Sequence, residues 1–301
     1  MGRSRRFGLV GALLLLLFMM SVPGHPVAPV SKKSPNVRPP PKLNSEVRKI
    51  SFSGYEWTVR DSRDQEQGPG PNYFEDSSEN VWLDEKGNLH LKILKKDDKW
   101  TCAEIYSDRS FGHGTYVFQL APGFEDLDVN VILGLFTYLD DTHEIDIEFA
   151  RWGHEGNKNG QYVVQPHSHP GNVHRFEFSS NQTSSIHAFS WCGNYIHFRS
   201  MLGTTFHEDS DQYLQEWYYK GNDNPEPSTE RVHLNLWLMD GLAPSDGSEA
   251  EVTIERFSFI LDDCDEGILG IQAYWPFILI ALLGIAVVII VLMHRWKKGR
   301  D

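Results

Sequence analysis

The stretch His143-Glu144-Ile145-Asp146-Ile147-Glu148-Phe149 holds the strongest structural signal in the chain. Apolar and acidic residues alternate in it without interruption, which is the period of a β-strand with two different faces. In such a strand the apolar side chains enter a core and the acids share the opposite face. The pattern therefore predicts a half-buried strand that carries Glu144, Asp146 and Glu148 together on one face.

Three carboxylates on one face repel one another, so their clustering needs an explanation. An exposed polar face is one explanation, because acid-rich strands do occur. Catalysis is the other, because retaining glycoside hydrolysis needs two carboxyl groups about 5–5.5 Å apart, one as nucleophile and one as general acid and base. The backbones of residues 144 and 148 lie about 13 Å apart in a flat strand, and two glutamate side chains can close most of that gap. Asp146, between them, can help to keep them in different protonation states.

Short alternating segments surround this stretch from residue 46 to residue 262. Gly, Asp, Asn and Pro separate them, which is typical of strands joined by turns. No long helical periodicity occurs before residue 268. The pattern predicts an all-β fold, a sandwich of two antiparallel sheets.

Several segments together resemble glycoside hydrolase family 16, which includes lichenases, laminarinases, xyloglucan transferases and carrageenases. The run E-I-D-I-E-F at 144–149 resembles the catalytic signature of this family. The other matches occur in the family's order and span roughly residues 50–260. They are Ala103-Glu104-Ile105-Tyr106-Ser107, Phe111-Gly112-His113-Gly114-Thr115-Tyr116, Leu135-Phe136-Thr137-Tyr138, His187-Ala188-Phe189-Ser190-Trp191 with Asn194-Tyr195-Ile196, and Leu234-Asn235-Leu236-Trp237.

The resemblance implies a jelly-roll sandwich with a cleft across its concave sheet. It also implies retaining endo-cleavage of a β-linked polysaccharide, a β-1,3/1,4-glucan or a galactan, by hydrolysis or transglycosylation. Glu144 would be the nucleophile, Glu148 the general acid and base, and Asp146 the assisting residue. A catalytically inactive lectin or adhesin on the same fold is the alternative. The intact set of three acids favours the enzyme.

Five residues are predicted to bind the polysaccharide. Glu104 matches a sugar-binding glutamate of the family, and Asn235 and Trp237 match a substrate-binding pair that shares one strand face. Tyr138 and Trp152 are candidates because sugar rings stack on aromatic side chains, although aromatic residues more often belong to a core.

Departures from the family pattern concern the substrate more than the reaction. Thr142 stands where lichenases carry a tryptophan, so a sugar-stacking platform is missing there. His143 replaces the usual Asp before the nucleophile, and Ser190 and Cys192-Gly193 replace the Asp and the x-P pair of another motif. The identity of the polysaccharide therefore stays open.

The N-terminal residues 1–24 have the pattern of a secretory signal peptide. Three arginines precede an apolar stretch, and small residues near its end suit a signal peptidase, with an uncleaved signal anchor as the alternative. Residues 25–45 are rich in Pro, Lys and Ser and are predicted to form an extended linker. The glycoside hydrolase domain is predicted over residues 46–263.

Residues 268–293 carry no charge, and the run is long enough for a transmembrane helix, which needs ~20 apolar residues. Basic residues follow it, so the positive-inside rule places the tail 294–301 in the cytoplasm and the domain outside the cell. The sequence therefore predicts a cell-surface enzyme anchored in the membrane by a C-terminal helix.

The chain is acidic, with a formal net charge of −13, which disfavours nucleic acid as a partner. An extracellular address permits one disulfide among Cys102, Cys192 and Cys264 and leaves one thiol over. We predict no cofactor and no catalytic metal. Glu255, in the last strand, is a candidate ligand for a structural Ca²⁺ of the kind that the family often holds.

Overall fold

The computed structural model of the protein describes residues 47–207 and 212–261. Within these ranges the helices are two 3₁₀ turns, Phe124–Asp126 and Met239–Gly241. No helix in the described part is long and apolar enough to cross a membrane. The predicted segments that lie outside it are the signal peptide 1–24, the linker 25–45, the membrane helix 268–293 and the tail 294–301.

Sixteen strands account for the fold of the described residues, so the all-β prediction is confirmed. They are numbered β1 to β16 along the chain. Their bounds are Lys49–Phe52, Tyr55–Val59, Tyr73–Phe74, Val81–Leu83, Leu89–Lys96, Lys99–Ser107, Gly114–Leu120, Val131–Tyr138, Glu144–Phe149, Gly160–Val164, Val173–Phe176, Ser185–Cys192, Tyr195–Leu202, Gln215–Tyr219, Arg231–Leu238 and Ala250–Ile260.

The strands form a jelly-roll-like sandwich of two layers. The first layer has the order β1-β2-β6-β15-β8-β9-β10-β11, and the second has β4-β5-β16-β7-β12-β13-β14. The structure differs from two antiparallel sheets in two respects. Strand β3 runs parallel to β6. The hairpin of β5 and β6, paired at residues 94–96 and 99–101, joins both layers into one hydrogen-bonded sheet.

The core lies between the layers and takes every second side chain from their strands. Ile145, Ile147 and Phe149 of β9 are buried in it, as their alternation predicts. Tyr162 of β10 stacks on Phe198 of β13 with 4.9 Å between ring centroids, which packs the first layer against the second. Each large apolar side chain buried here contributes about 1.5–3 kcal/mol. The intervening residues of the first layer point away from the core, onto what we call the site face.

The cysteines of the described residues divide into one thiol and one disulfide. Cys102 of β6 is buried and free, and its thiol donates a hydrogen bond to Asn72 Oδ1 at 3.3 Å. Burial raises the pKa of the Cys102 thiol to about 12. Cys192, at the end of β12, is disulfide-bonded.

Candidate functional site

Strand β9 lies inside the first layer, between β8 and β10. Asp146, at its middle, is opposite Phe136 of β8 and Val163 of β10. Because the apolar residues of β9 enter the core, Glu144, Asp146 and Glu148 share the site face. Asp146 is buried, and the two glutamates are half-buried.

Strand register aligns the side chains of the site face in three rows across the layer. Each row contains one of the three acids of β9. The first row is Arg231, Tyr138 and Glu144. The second row is Tyr106, His233, Phe136, Asp146 and Val163. The third row is Glu104, Asn235, Gly134, Glu148, Gln161 and Arg175. Two of the predicted substrate-binding residues therefore share a row with Glu148.

Burial raises the pKa of all three carboxyl groups of β9. It raises the pKa of Glu148 to about 7, against the opposing effects of a hydrogen bond from Gln161 and the charge of Arg175. The pKa of Asp146 is raised well above its ordinary value, first by burial and then by the charges of both glutamates. The pKa of Glu144 is raised to about 8 by burial, although the hydrogen bond that protonated Asp146 donates to it works in the opposite direction.

Hydrogen bonds from neighbouring residues hold the acids. Gln161 Nε2 of β10 donates to Glu148 Oε2 at 2.6 Å, and Gln165 Nε2 donates to Asp146 Oδ2 at 3.2 Å. Arg175 Nε of β11 in turn donates to Gln161 Oε1 at 3.0 Å. None of these three residues is recognisable from the sequence as a partner of the acids. Each of them is simply a polar residue on or beside a strand, and the sequence does not tell which strand lies next to it.

Glu104 of β6 is almost fully buried, with 3% of its surface exposed. Arg60 Nη1 donates to its Oε2 at 2.6 Å, and His233 Nδ1 donates to its Oε1 at 2.9 Å. Burial works to raise the pKa of Glu104, but its hydrogen bonds and charge interactions with His233 and Arg60 lower it overall. His233 is fixed further by stacking against Tyr106 and Phe136, with centroids 5.4 and 5.1 Å away.

Asn235 of β15 leans over Gly134 of β8, the residue next to Glu148 in the third row. A Cβ atom at position 134 would stand 2.5 Å from Asn235 Oδ1, so only glycine leaves this space open. Asn235 is 1% exposed, and its Oδ1 is buried and has no hydrogen-bond partner among the described residues. A buried acceptor of this kind is available to a ligand hydroxyl.

The three predicted aromatic contacts lie beside this acid set. Trp237 follows Asn235 on the same face of β15 and packs edge-on against Trp152, with centroids 6.1 Å apart. Tyr138 is opposite Glu144, and its hydroxyl donates to Asp141 at 3.3 Å. All three rings are partly exposed and able to offer surface to a sugar.

Two other features lie apart from β9. Among residues 47–207 and 212–261, no group of three or more His, Cys, Asp or Glu side chains is placed to hold a metal ion. Glu255, the Ca²⁺ candidate, accepts hydrogen bonds from Ser184 and Gln119. A cavity of about 300 Å³ between residues 170–172 and 217–223 contains none of the predicted site residues.

The chain resembles solved structures by fold rather than by sequence. No protein-family model matches it, and no curated protein matches its sequence. A β-glucanase of Bacillus licheniformis superposes with a TM-score of 0.52 at 18% identity, covering 72% of this chain and 99% of the glucanase. A family 16 glycosyl hydrolase of Mycobacterium smegmatis gives 0.52 at 20% identity, covering 70% and 98%. An immunostimulatory antigen and pseudo β-1,3-glucanase of Mycobacterium tuberculosis gives 0.54 at 18% identity, covering 68% and 91%.

These similarities establish the fold. The described domain has the jelly-roll-like architecture of structures named β-glucanases and family 16 glycosyl hydrolases. The fold implied by the sequence motifs and the fold of the solved structures agree. Activity does not follow from the fold, because one of these structures is named a pseudo-glucanase.

Proposed function

We propose that the protein is a family 16 retaining endo-glycoside hydrolase that cleaves a β-linked polysaccharide, a β-1,3/1,4-glucan or a galactan, by hydrolysis or transglycosylation. Glu144 is the nucleophile, Glu148 the general acid and base, and Asp146 the assisting residue. The acid set of β9 carries the proposal, because three carboxyl groups with raised pKa values share one face of one strand. Burial and mutual repulsion both cost free energy, and a purely structural strand gains nothing in return.

The reaction proceeds by two displacements at the anomeric carbon. Glu148 donates its proton to the glycosidic oxygen while Glu144 attacks the carbon, so that an alcohol leaves and a glycosyl ester remains. Glu148, now a carboxylate, then takes a proton from water or from a sugar hydroxyl, and the resulting nucleophile displaces Glu144. Two inversions retain the β configuration. The hydrogen bond from Asp146 stabilises the carboxylate of Glu144 before attack and after release.

The polysaccharide crosses the strands along the three rows of the site face. Asn235 accepts a sugar hydroxyl with its free Oδ1. Each oxygen of Glu104 has one partner and keeps a lone pair for a second hydrogen bond. Trp237, Trp152 and Tyr138 supply aromatic surface for sugar rings. A polysaccharide bound across the sheet in this way would extend beyond the acids on both sides and would be cut internally.

An inactive carbohydrate-binding protein is the second candidate, because one of the similar structures is named a pseudo β-1,3-glucanase. A protein of this kind would bind sugars through Asn235 and Trp237, and the three acids of β9 would have no chemical role in it. The raised pKa values of the acid set support the enzyme instead, because a carboxyl group kept protonated near neutral pH is what acid catalysis uses.

We further propose that the domain acts outside the cell while anchored in the membrane by the helix at 268–293. The uncharged run and the basic residues that follow it support this orientation. The disulfide at Cys192 supports an oxidising compartment.

Release of reducing ends from a panel of β-glucans and galactans tests the activity. Glu144→Gln is expected to abolish release, whereas Glu85→Gln, in an exposed turn before β5, leaves it unchanged. Azide is expected to rescue Glu144→Ala by forming the α-glycosyl azide. Proton NMR of the first product, taken before mutarotation, should show the β anomer. An initial α anomer refutes the assigned roles, and binding without release by the unaltered protein identifies the second candidate.

A further inference from the structure

The hydrogen bonds of the third row have directions that chemistry fixes. An arginine side chain donates and never accepts, so Arg175 Nε must be the donor in its 3.0 Å contact with Gln161 Oε1. The amide of Gln161 therefore cannot turn around without losing this bond. Its Nε2 consequently faces Glu148 and donates to Oε2 of that residue at 2.6 Å.

This direction decides which oxygen of Glu148 carries the acidic proton. Oε2 receives the N–H of Gln161 and acts as the carbonyl-type acceptor of the neutral carboxyl group, so the proton lies on Oε1. When Glu148 gives up that proton, the same N–H remains in place and stabilises the new carboxylate. A single orientation of the Gln161 amide therefore stabilises both the neutral and the ionised form of Glu148.

Titratable groups reach Glu148 from several strands. On β9 they are Glu144 and the protonated Asp146, whereas β8 places Gly134 beside Glu148 and adds no charge. Strand β10 contributes the neutral Gln161, and β11 contributes Arg175, whose positive charge lowers the pKa of Glu148. On the far side of Gly134, β15 offers the neutral Asn235, and β6 offers Glu104, which Arg60 and His233 already bind. Arg175 is therefore the cation that acts on Glu148.

We propose that Arg175 is a positioning residue of the proposed glycosidase: through Gln161 it fixes the acidic proton on Oε1 of Glu148 and stabilises the carboxylate formed when that proton is transferred. The proposal rests on the proposed function, in which Glu148 is the general acid and base. Arg175 is exposed and touches Glu148 only through Gln161, so its replacement leaves the core intact.

The pH dependence of kcat/KM tests this role in the full chain. Arg175→Met removes the charge and frees the Gln161 amide, so we expect the alkaline limb to move up by about one pH unit. On polysaccharide kcat/KM should fall about tenfold, whereas on an aryl glycoside with an activated leaving group it should not change, because that group leaves without a proton. Lys158→Met is the matched control: Lys158 Nζ donates to the backbone oxygen of Arg175, and its loss removes a nearby charge without touching Gln161.

A double-mutant cycle and an activity-independent titration complete the test. In Gln161→Met the further change Arg175→Met should lower kcat/KM little, because the hydrogen bond through Gln161 is already lost, although the charge of Arg175 still acts on the pKa of Glu148. Carbon-13 NMR of labelled glutamate, assigned with Glu148→Gln, should show the Glu148 pKa rising in Arg175→Met and not in Lys158→Met. Equal pKa shifts in the two variants, or additive losses of kcat/KM in the cycle, overturn the proposal. An unaltered protein without glycosidase activity refutes the proposed function, and the NMR titration then still decides the role of Arg175.

Discussion

Gly134→Ala is expected to disturb both the stability of the domain and the geometry of the site. The added Cβ would stand 2.5 Å from Asn235 Oδ1 and 3.3 Å from Phe136 Cδ1, whereas ordinary contacts begin at 3.4 Å. Asn235 is enclosed, with 1% of its surface exposed, so it cannot move without displacing its neighbours. Overpacking of this kind costs about 1–3 kcal/mol.

The expected magnitudes are measurable by calorimetry and kinetics. In a domain of this size the melting temperature should fall by about 2–10 °C. If Asn235 is pushed out of the third row, one sugar hydrogen bond is lost, and kcat/KM on polysaccharide should fall about tenfold.

Gly193→Ala is the matched control for this prediction. Its Cβ would meet only His113 Cε1, at 3.7 Å, and should leave the melting temperature unchanged or slightly higher. Adding Asn235→Ala to Gly134→Ala removes the clashing oxygen and should restore most of the stability, but not the activity. The reasoning is refuted if Gly134→Ala has the melting temperature of the unaltered protein. It is also refuted if adding Asn235→Ala to Gly134→Ala does not raise the melting temperature.

Three further predictions follow from the acid set and from the chain's organisation. Activity should decline as the pH rises through about 7, where Glu148 loses its proton, and a kcat/KM profile flat to pH 9 would contradict this assignment. Glu148→Gln should stabilise the fold by about 1–2 kcal/mol above pH 7, because ionised Glu148 costs stability. That gain should vanish near pH 4, where both states hold the proton, and denaturant titrations at the two pH values measure it. The fragment 42–263 should be folded and active without the membrane helix, as size-exclusion chromatography and the polysaccharide assay would show, and its aggregation would place the domain boundary elsewhere.

The alternation of side chains between the two faces of a strand explains what the sequence could predict. Side chains alternate strictly along a strand, so the apolar and acidic faces of β9 follow from its seven-residue stretch. The shared face of Asn235 and Trp237 on β15 follows in the same way. These predictions need no knowledge of the neighbouring strands.

The partners of the acids depend on which strands meet and in which register, and this information is not local. Gln161 reaches Glu148 because β10 pairs with β9 in one register, and a shift of one residue would turn Gln161 toward the core. The link from Glu104 to His233 joins two strands that are distant in the chain. The sequence likewise gives no reason for the glycine at position 134, because that reason is the side chain of Asn235, which leans over it from the neighbouring strand.

The buried thiol at Cys102 gives this domain a built-in reporter of its own opening. The thiolate is the form that attacks alkylating reagents, and a pKa of about 12 leaves almost none of it at neutral pH in the folded state. Cys192 does not compete, because it is disulfide-bonded. Since Cys102 is fully buried on β6, beside Phe74 of β3 and Asn72, iodoacetamide can modify it only when the structure around the thiol opens. The rate of alkylation therefore reports how often this part of the domain opens, with no dye or tag added to the chain.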